Sequence, residues 1–153
     1  MTFREAKLTD IDQLSVLRLS VKENQLSNPD LIAKKDYETY LSIRGKGWVT
    51  ESNGQVVGFS IVDLQEHNIW ALFIKPGFEG LGIGRGLHHL MLEWYFSQTK
   101  ETVWLSTAPQ TRAEKFYRKA GWQETGLYGK GEIRFEMPYQ TWLKLNLSLK
   151  AAE

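Results

Sequence analysis

The order of apolar patterns along the chain predicts an α/β fold, with a mixed central β-sheet flanked by helices on both faces. Three observations carry this expectation. Two strand-like runs meet at Asn53-Gly54, a pair that supplies the two positive φ angles of a type I′ turn, so part of the sheet is antiparallel. After that hairpin, strand patterns alternate with helical ones, which is the signature of crossover connections. No internal repeat, low-complexity tract or linker interrupts the 153 residues, so residues 1–153 are expected to form one domain.

The elements follow in order. "TFREA" reads as a first strand. Thr9 or Asp10 then reads as an N-cap, because a short side-chain oxygen can take a free backbone N–H. Ile11, Leu14, Leu17 and Val21 follow at helical spacing. Asn28-Pro29-Asp30 carries turn chemistry, and a second helical pattern runs through Tyr37, Tyr40 and Leu41. This polar, irregular connection is a natural place for substrate contacts. "GWVTESNGQVVGFSIVDL" is the hairpin, and "NIWALFIKP" the next strand. Leu87, Leu90, Met91 and Trp94 lie at i, i+3, i+4 and i+7, one face of a helix. "TVWLST" is a short strand. "PQTRAEKFYRKAG" is a helix with Ala113, Phe116, Tyr117 and Ala120 on one side and Gly121 as its stop. "GWQETGLYGKGEIRFEMPY" returns to strand character, and the tail is left as a segment that pairs, packs or frays.

Composition narrows the function. Lys plus Arg number 19 and Asp plus Glu 18, a balance that points to neither nucleic acid nor an anionic membrane as partner. The absence of cysteine excludes disulfides, thiolate catalysis by the protein and cysteine-ligated zinc. The N-terminal residues do not read as a signal peptide, and no apolar run reaches the roughly 18–20 residues of a membrane helix, so a cytoplasmic location is expected.

The densest feature is "PGFEGLGIGRGL", Pro76 to Leu87, which holds five of the thirteen glycines. A strand that passes through glycines into a helix offers an anion site. The first helical N–H groups have no internal partner, and the helix dipole adds roughly half a positive charge there. The dinucleotide pattern G-x-G-x-x-G fails, because Arg85 or Leu87 stands where the third glycine belongs. The P-loop also fails, because Ile83 follows Gly82 where lysine is required. What remains is Gly80-x-Gly82-x-Gly84 between a strand and a helix.

The strand end Ile74-Lys75-Pro76, the loop Glu79 to Gly84, and Gln110-x-x-Ala113-x-x-Phe116-Tyr117 followed by Gly121-Trp122 resemble the GCN5-related N-acetyltransferase (GNAT) family. The resemblance spans "FREAKLTD" to "RFEMP". It implies one N-acetyltransferase domain over residues 1–153, with acetyl-CoA as cosubstrate and a primary amine as acceptor. The acceptor is a small-molecule amine or a peptide or protein amine. The resemblance implies that Leu72, Phe73 and Ile74 line the pantetheine arm, and that Glu79, Gly80, Leu81, Gly82, Ile83, Gly84 and Arg85 hold the pyrophosphate. The same resemblance implies that Gln110 and Phe116 also contact the cofactor and that Tyr117 is the general acid, while Arg112 is expected at the cofactor from its place on a basic helix face. Glu79 departs from the family, which places Gln or Arg there, and Gln110 replaces Asn. Trp70 stands where many members carry a glutamate base; His67 or Glu66, just upstream, are the substitutes. The missing glutamate leaves a non-catalytic acyl-CoA-binding or sensing module as the alternative.

Two further groups are weighed. His89 and Glu93 are spaced i, i+4, but two ligands without a third do not make a metal site; with His88 they are expected on the solvent side of their helix, and no metal is expected. Arg112, Lys115, Arg118 and Lys119 form a basic helix face, either solvated or near cofactor phosphates. The apolar tail is compatible with a homodimer.

Overall fold

A computed structural model describes residues 1–21 and 33–152. The Asn28-Pro29-Asp30 turn lies outside the described residues. The elements are β1 (Thr2–Glu5), α1 (Ile11–Ser20), α2 (Lys34–Thr39), β2 (Gly45–Ser52), β3 (Gln55–Asp63), β4 (Asn68–Ile74), α3 (Ile83–Gln98), β5 (Val103–Thr107), α4 (Arg112–Lys119), β6 (Gln123–Tyr128), β7 (Glu132–Met137) and α5 (Tyr139–Ala152). The strand order is β1-β2-β3-β4-β5-β7-β6, a mixed central sheet flanked by helices. The chain divides into two compact units, Met1–Tyr95 and Phe96–Glu153.

In the first unit, β1 to β4 are antiparallel neighbours. Asn53 and Gly54 turn the β2–β3 hairpin with φ of 52° and 76°, as their chemistry requires. From Val56 to Asp63, β3 is buried at every position, so both of its faces are covered. On one face Phe59, Ile61, Ala71 and Phe73 pack with Ile11, Leu14, Leu17 and Tyr37. On the other, Gly58 lies under Ile83 and Leu87, where a Cβ would come within 2.7 Å of Ile83.

Asp10 stands at the N-cap position of α1, one of the two residues expected there, but not for the capping bond expected of it. It makes no side-chain cap to α1. Its Oδ2 instead accepts the Lys7 N–H at 2.7 Å, within the 3₁₀ turn Leu8–Asp10, and both carboxylate oxygens accept from Arg4 at 2.9 Å. A buried carboxylate keeps its charge only when donors surround it, and Arg4 supplies two.

In the second unit β5, β7 and β6 are antiparallel, with β7 between the others. The C-terminal stretch expected to have strand character is a hairpin of two strands, β6 and β7, turned at Gly129-Lys130-Gly131, where both glycines have positive φ. The tail is the helix α5. Gly121, at φ 95°, ends α4 and faces Leu145, whose side chain a Cβ would meet at 2.7 Å.

Candidate functional site

The end of β4, the glycine turn and the start of α3 form one continuous feature. Lys75 N–H closes β4 onto the Val57 carbonyl at 2.8 Å, and Phe78 N–H turns back to the Lys75 carbonyl at 3.0 Å. Gly77, Gly80 and Gly82 then adopt φ of 95°, 75° and 83°. Side chains rarely adopt this region, so glycine is required for the path itself. A Cβ built on any of the three meets nothing within 4 Å, so their backbone lies open to an approaching group. Gly86 differs: its Cβ would strike the Phe3 ring at 2.6 Å, and it serves packing rather than access.

The first intrahelical bond of α3 runs from Gly86 N–H to the Gly82 carbonyl at 3.1 Å. The N–H groups of Ile83, Gly84 and Arg85 precede it and have no acceptor within the helix. They sit at the positive end of a sixteen-residue helix dipole. Ile83 is buried and anchors the turn, whereas Leu81 and Arg85 are exposed. Glu79, the departure from the family pattern, is exposed, and its Oε1 accepts the Gly77 N–H at 2.7 Å.

In β4, Phe73 enters the core while Leu72 and Ile74 are half-buried on the opposite face. The β3–β4 register slips between Ile61 and Val62, opposed by Ala71 and Ile69, which leaves Trp70 as the extra residue of a bulge. Trp70 is half-buried and stacks on Tyr40 with ring centroids 4.2 Å apart.

His67, a candidate base, has φ 57° and lies before Asn68, so about 20 Å of strand separates it from the glycine turn. Its Nδ1 is 3.0 Å from the hydroxyl of Tyr95, which is fully buried. Glu66 beside it is exposed.

In the second unit, Tyr117 on α4 is buried, its ring 5.5 Å from Trp122 and 5.2 Å from the half-buried Phe116. Burial pushes its phenol well above the usual range, so the proton is firmly held. Gln110 is exposed in the left-handed region at φ 63°, and its N–H donates to Glu114 at 2.8 Å. Arg112 and Lys115 are exposed. Arg118, from the same basic face, is paired with Glu114 and Glu124.

His88 is a second correction. It is half-buried rather than on the solvent side, and burial pushes its pKa down to about 4. Its neighbour His89 is exposed and pairs with Glu93 at 3.0 Å. Among the described residues no three His, Cys, Asp or Glu side chains gather where they could hold a metal ion. No described helix is long and apolar enough to cross a membrane. Two features of the site carry no signature in one chain's pattern: the Trp70 bulge, a slip between two strands, and the Arg18 donors that have no partner among the described residues.

Comparison with known proteins follows the same line. The sequence model of the acetyltransferase (GNAT) family matches residues 12–122. N-acetyltransferase 8 of Mus musculus is 32% identical over 99 residues, covering 58% of this chain and 44% of that protein. The chain thus spans less than half the length of the curated relative it matches. An acetyltransferase of the GNAT family from Staphylococcus aureus superposes with a TM-score of 0.77 at 19% identity, over 90% of this chain and 98% of that one. PaiA N-acetyltransferase from Thermoplasma acidophilum, solved in complex with coenzyme A, superposes with a TM-score of 0.73 at 12% identity, over 90% and 98%. These two likenesses establish the fold.

Proposed function

We propose that this chain, which belongs to the acetyltransferase (GNAT) family, moves an acetyl group from acetyl-CoA to a primary amine by direct attack. The observation that carries the reading is the glycine turn before α3. Three left-handed glycines with open space above them lead to helical N–H groups that await an acceptor. A pyrophosphate suits that site, because its oxygens accept several N–H bonds and its charge meets the helix dipole. Gly80 to Arg85 hold it in this reading, with the exposed Arg85 as a counter-charge. The main chain of Leu72 to Ile74 runs beside the pantetheine arm and supplies the N–H that polarises the thioester carbonyl. Gln110 and Phe116 are proposed as further contacts on the strength of the family match, and Arg112 as one from its exposed place on the basic face of α4.

An alkylamine near pKa 10.4 is almost fully protonated at neutral pH, and freeing its lone pair costs roughly 4–5 kcal/mol. The amine nitrogen then attacks the carbonyl carbon, the C–S bond breaks, and one proton leaves nitrogen while another reaches sulfur. Tyr117 is proposed as the donor to sulfur on the strength of the family match alone, since burial raises its phenol and so does not itself favour the transfer; it regains a proton once the products leave. The amine proton departs through water, with His67 or Glu66 as the group that relays it. His67 has its Nδ1 held by Tyr95 and keeps Nε2 for that purpose.

Calorimetric titration with acetyl-CoA, followed by thiol release over a panel of small amines and peptides, tests the reading. Acetyl-CoA binding with acceptor-dependent release and an acetylated product of the expected mass supports it. Binding without release from any acceptor favours the non-catalytic acyl-CoA module, a possibility that Trp70 in the usual glutamate position keeps open. Tight binding of ATP or NAD with none of acetyl-CoA overturns both.

A further inference from the structure

Three irregularities meet on one side of β4. The first is the bulge. Ala71 and Phe73 belong to the core face under α1 and α2, so strict alternation would send Trp70 to the other face; the extra residue turns it to the same side. The second is a π-helical turn, Tyr40–Arg44, directly after α2. Such turns are rare and cluster at functional sites. This one sets Tyr40 flat against Trp70, with ring planes 16° apart. The third is Arg18 of α1. Its guanidinium carbon lies 4.6 Å from the Phe73 ring centroid and 5.4 Å from that of Trp70.

Arg18 Nε and Nη1 are sealed from solvent and have no hydrogen-bond partner. The guanidinium interacts with the phenol of Tyr37, itself buried and edge-on to Trp70 at 5.1 Å. No ion pair among the described residues includes Arg18. The nearby cation Arg44, 4.9 Å from the Tyr40 ring, is neutralised by buried Asp63, which accepts from it at 2.5 and 3.1 Å. Among the described residues the cluster therefore carries one positive charge with no carboxylate paired to it. Aromatic faces offset part of that cost, but two idle donors on a dehydrated cation remain expensive. Arg18 as a whole is half-buried, so the sealed donors belong to a side chain that lies near the surface rather than deep in the core.

We infer that Arg18 anchors a carboxylate carried by the acceptor amine, seated against the Tyr40–Trp70 stack. A planar guanidinium matches a carboxylate, and a single unmatched charge suits a monoanion rather than a phosphate dianion. The inference rests on the acetyl transfer proposed above, because it names which amines the chain accepts: amino acids, or peptides with an acidic group near the reacting nitrogen.

The test has two arms. The first compares glycine, leucine and phenylalanine with their carboxamides as acceptors, in the wild type and in Arg18→Gln. The ratio within each acceptor cancels differences in amine basicity. Wild type should prefer the acids, and Arg18→Gln should shrink the acid-over-amide preference in kcat/KM by roughly 10- to 100-fold, through KM of the acids. An equal loss on acids and amides overturns the inference. The second arm needs no activity and no variant fold beyond assignment. The Arg18 Nε–H resonance, assigned by its loss in Arg18→Lys, should shift on titration of the wild type with propionate and stay fixed with propionamide. A resonance that moves with inorganic phosphate and not with propionate overturns the carboxylate, and one that moves with neither overturns the site even if acetyl transfer proceeds. If propionate shifts the resonance while no acceptor releases CoA, the anion site stands and the transferase reading fails.

Discussion

The carboxylate of Glu79 accepts the backbone N–H of Gly77 at 2.7 Å, closing the turn from within. A negative charge thus stands on the same turn whose amides are proposed to take a pyrophosphate. Its field opposes the helix dipole, an effect worth about 0.3–1 kcal/mol at an exposed position. Glu79→Gln retains an acceptor for Gly77 and removes the charge. Titration calorimetry should show acetyl-CoA bound about 2- to 5-fold more tightly by the variant, with the gain shrinking at high salt. An unchanged affinity would mean the carboxylate lies too far from the phosphates to matter.

Gly82 and Gly86 are predicted to fail in different ways. At Gly82, φ is 83° and a Cβ has open space, so Gly82→Ala strains the backbone without a clash. The strain is about 1–2 kcal/mol, and whichever way the turn relaxes, its amides move. Acetyl-CoA affinity should fall roughly tenfold. Gly86→Ala meets the Phe3 ring, which is 38% exposed and able to turn aside. It should lower the melting temperature while costing less affinity. The same affinity loss in both variants would sink the division of roles.

Tyr117→Phe removes one oxygen from a ring that keeps its neighbours Phe116, Trp122 and Phe135. If the phenol protonates the leaving sulfur, kcat should fall by about 100-fold or more with little change in KM for acetyl-CoA. Full kcat in a variant that melts normally would remove Tyr117 from the reaction.

What could be read in advance divides along physical lines. The Asn53-Gly54 hairpin, the apolar face of α1 and the glycine turn are local: each is fixed by residue chemistry at known spacing, and each stands where the pattern put it. The β6–β7 hairpin is harder to read although Gly129-x-Gly131 marks it and β7 alternates strictly, because β6 is exposed along its whole length and shows no alternation. Thr9 or Asp10 reads as a helix cap on local chemistry, and Asp10 takes that position, but Arg4 on the neighbouring strand claims its carboxylate, and a partner from another element has no signature in spacing. The same limit hides the Trp70 bulge, which is a mismatch between two strands, and the two Arg18 donors without a partner among the described residues, which only the surroundings define. For the glycine turn, sequence named the amides; the positive φ angles and open approach came from the structure.

His88 supplies the pH dependence. Burial lowers its pKa from the ordinary 6.5 to about 4, so between those values the folded chain holds it neutral while the unfolded chain takes up a proton. Protonation therefore favours the unfolded state, and stability should fall as pH drops from about 6.5 to about 4, then level for this group once the folded form also titrates. Because His88 is only half-buried, the loss is about 1–3 kcal/mol, below what the full shift implies. Asp10 adds its own loss at lower pH, because Arg4 holds its carboxyl below the usual range. Urea unfolding at a series of pH values should show the upper slope, and His88→Gln, which cannot titrate, should flatten it between pH 4 and 6.5 while leaving the acid limb in place. An identical slope in the variant would assign that pH dependence to other groups.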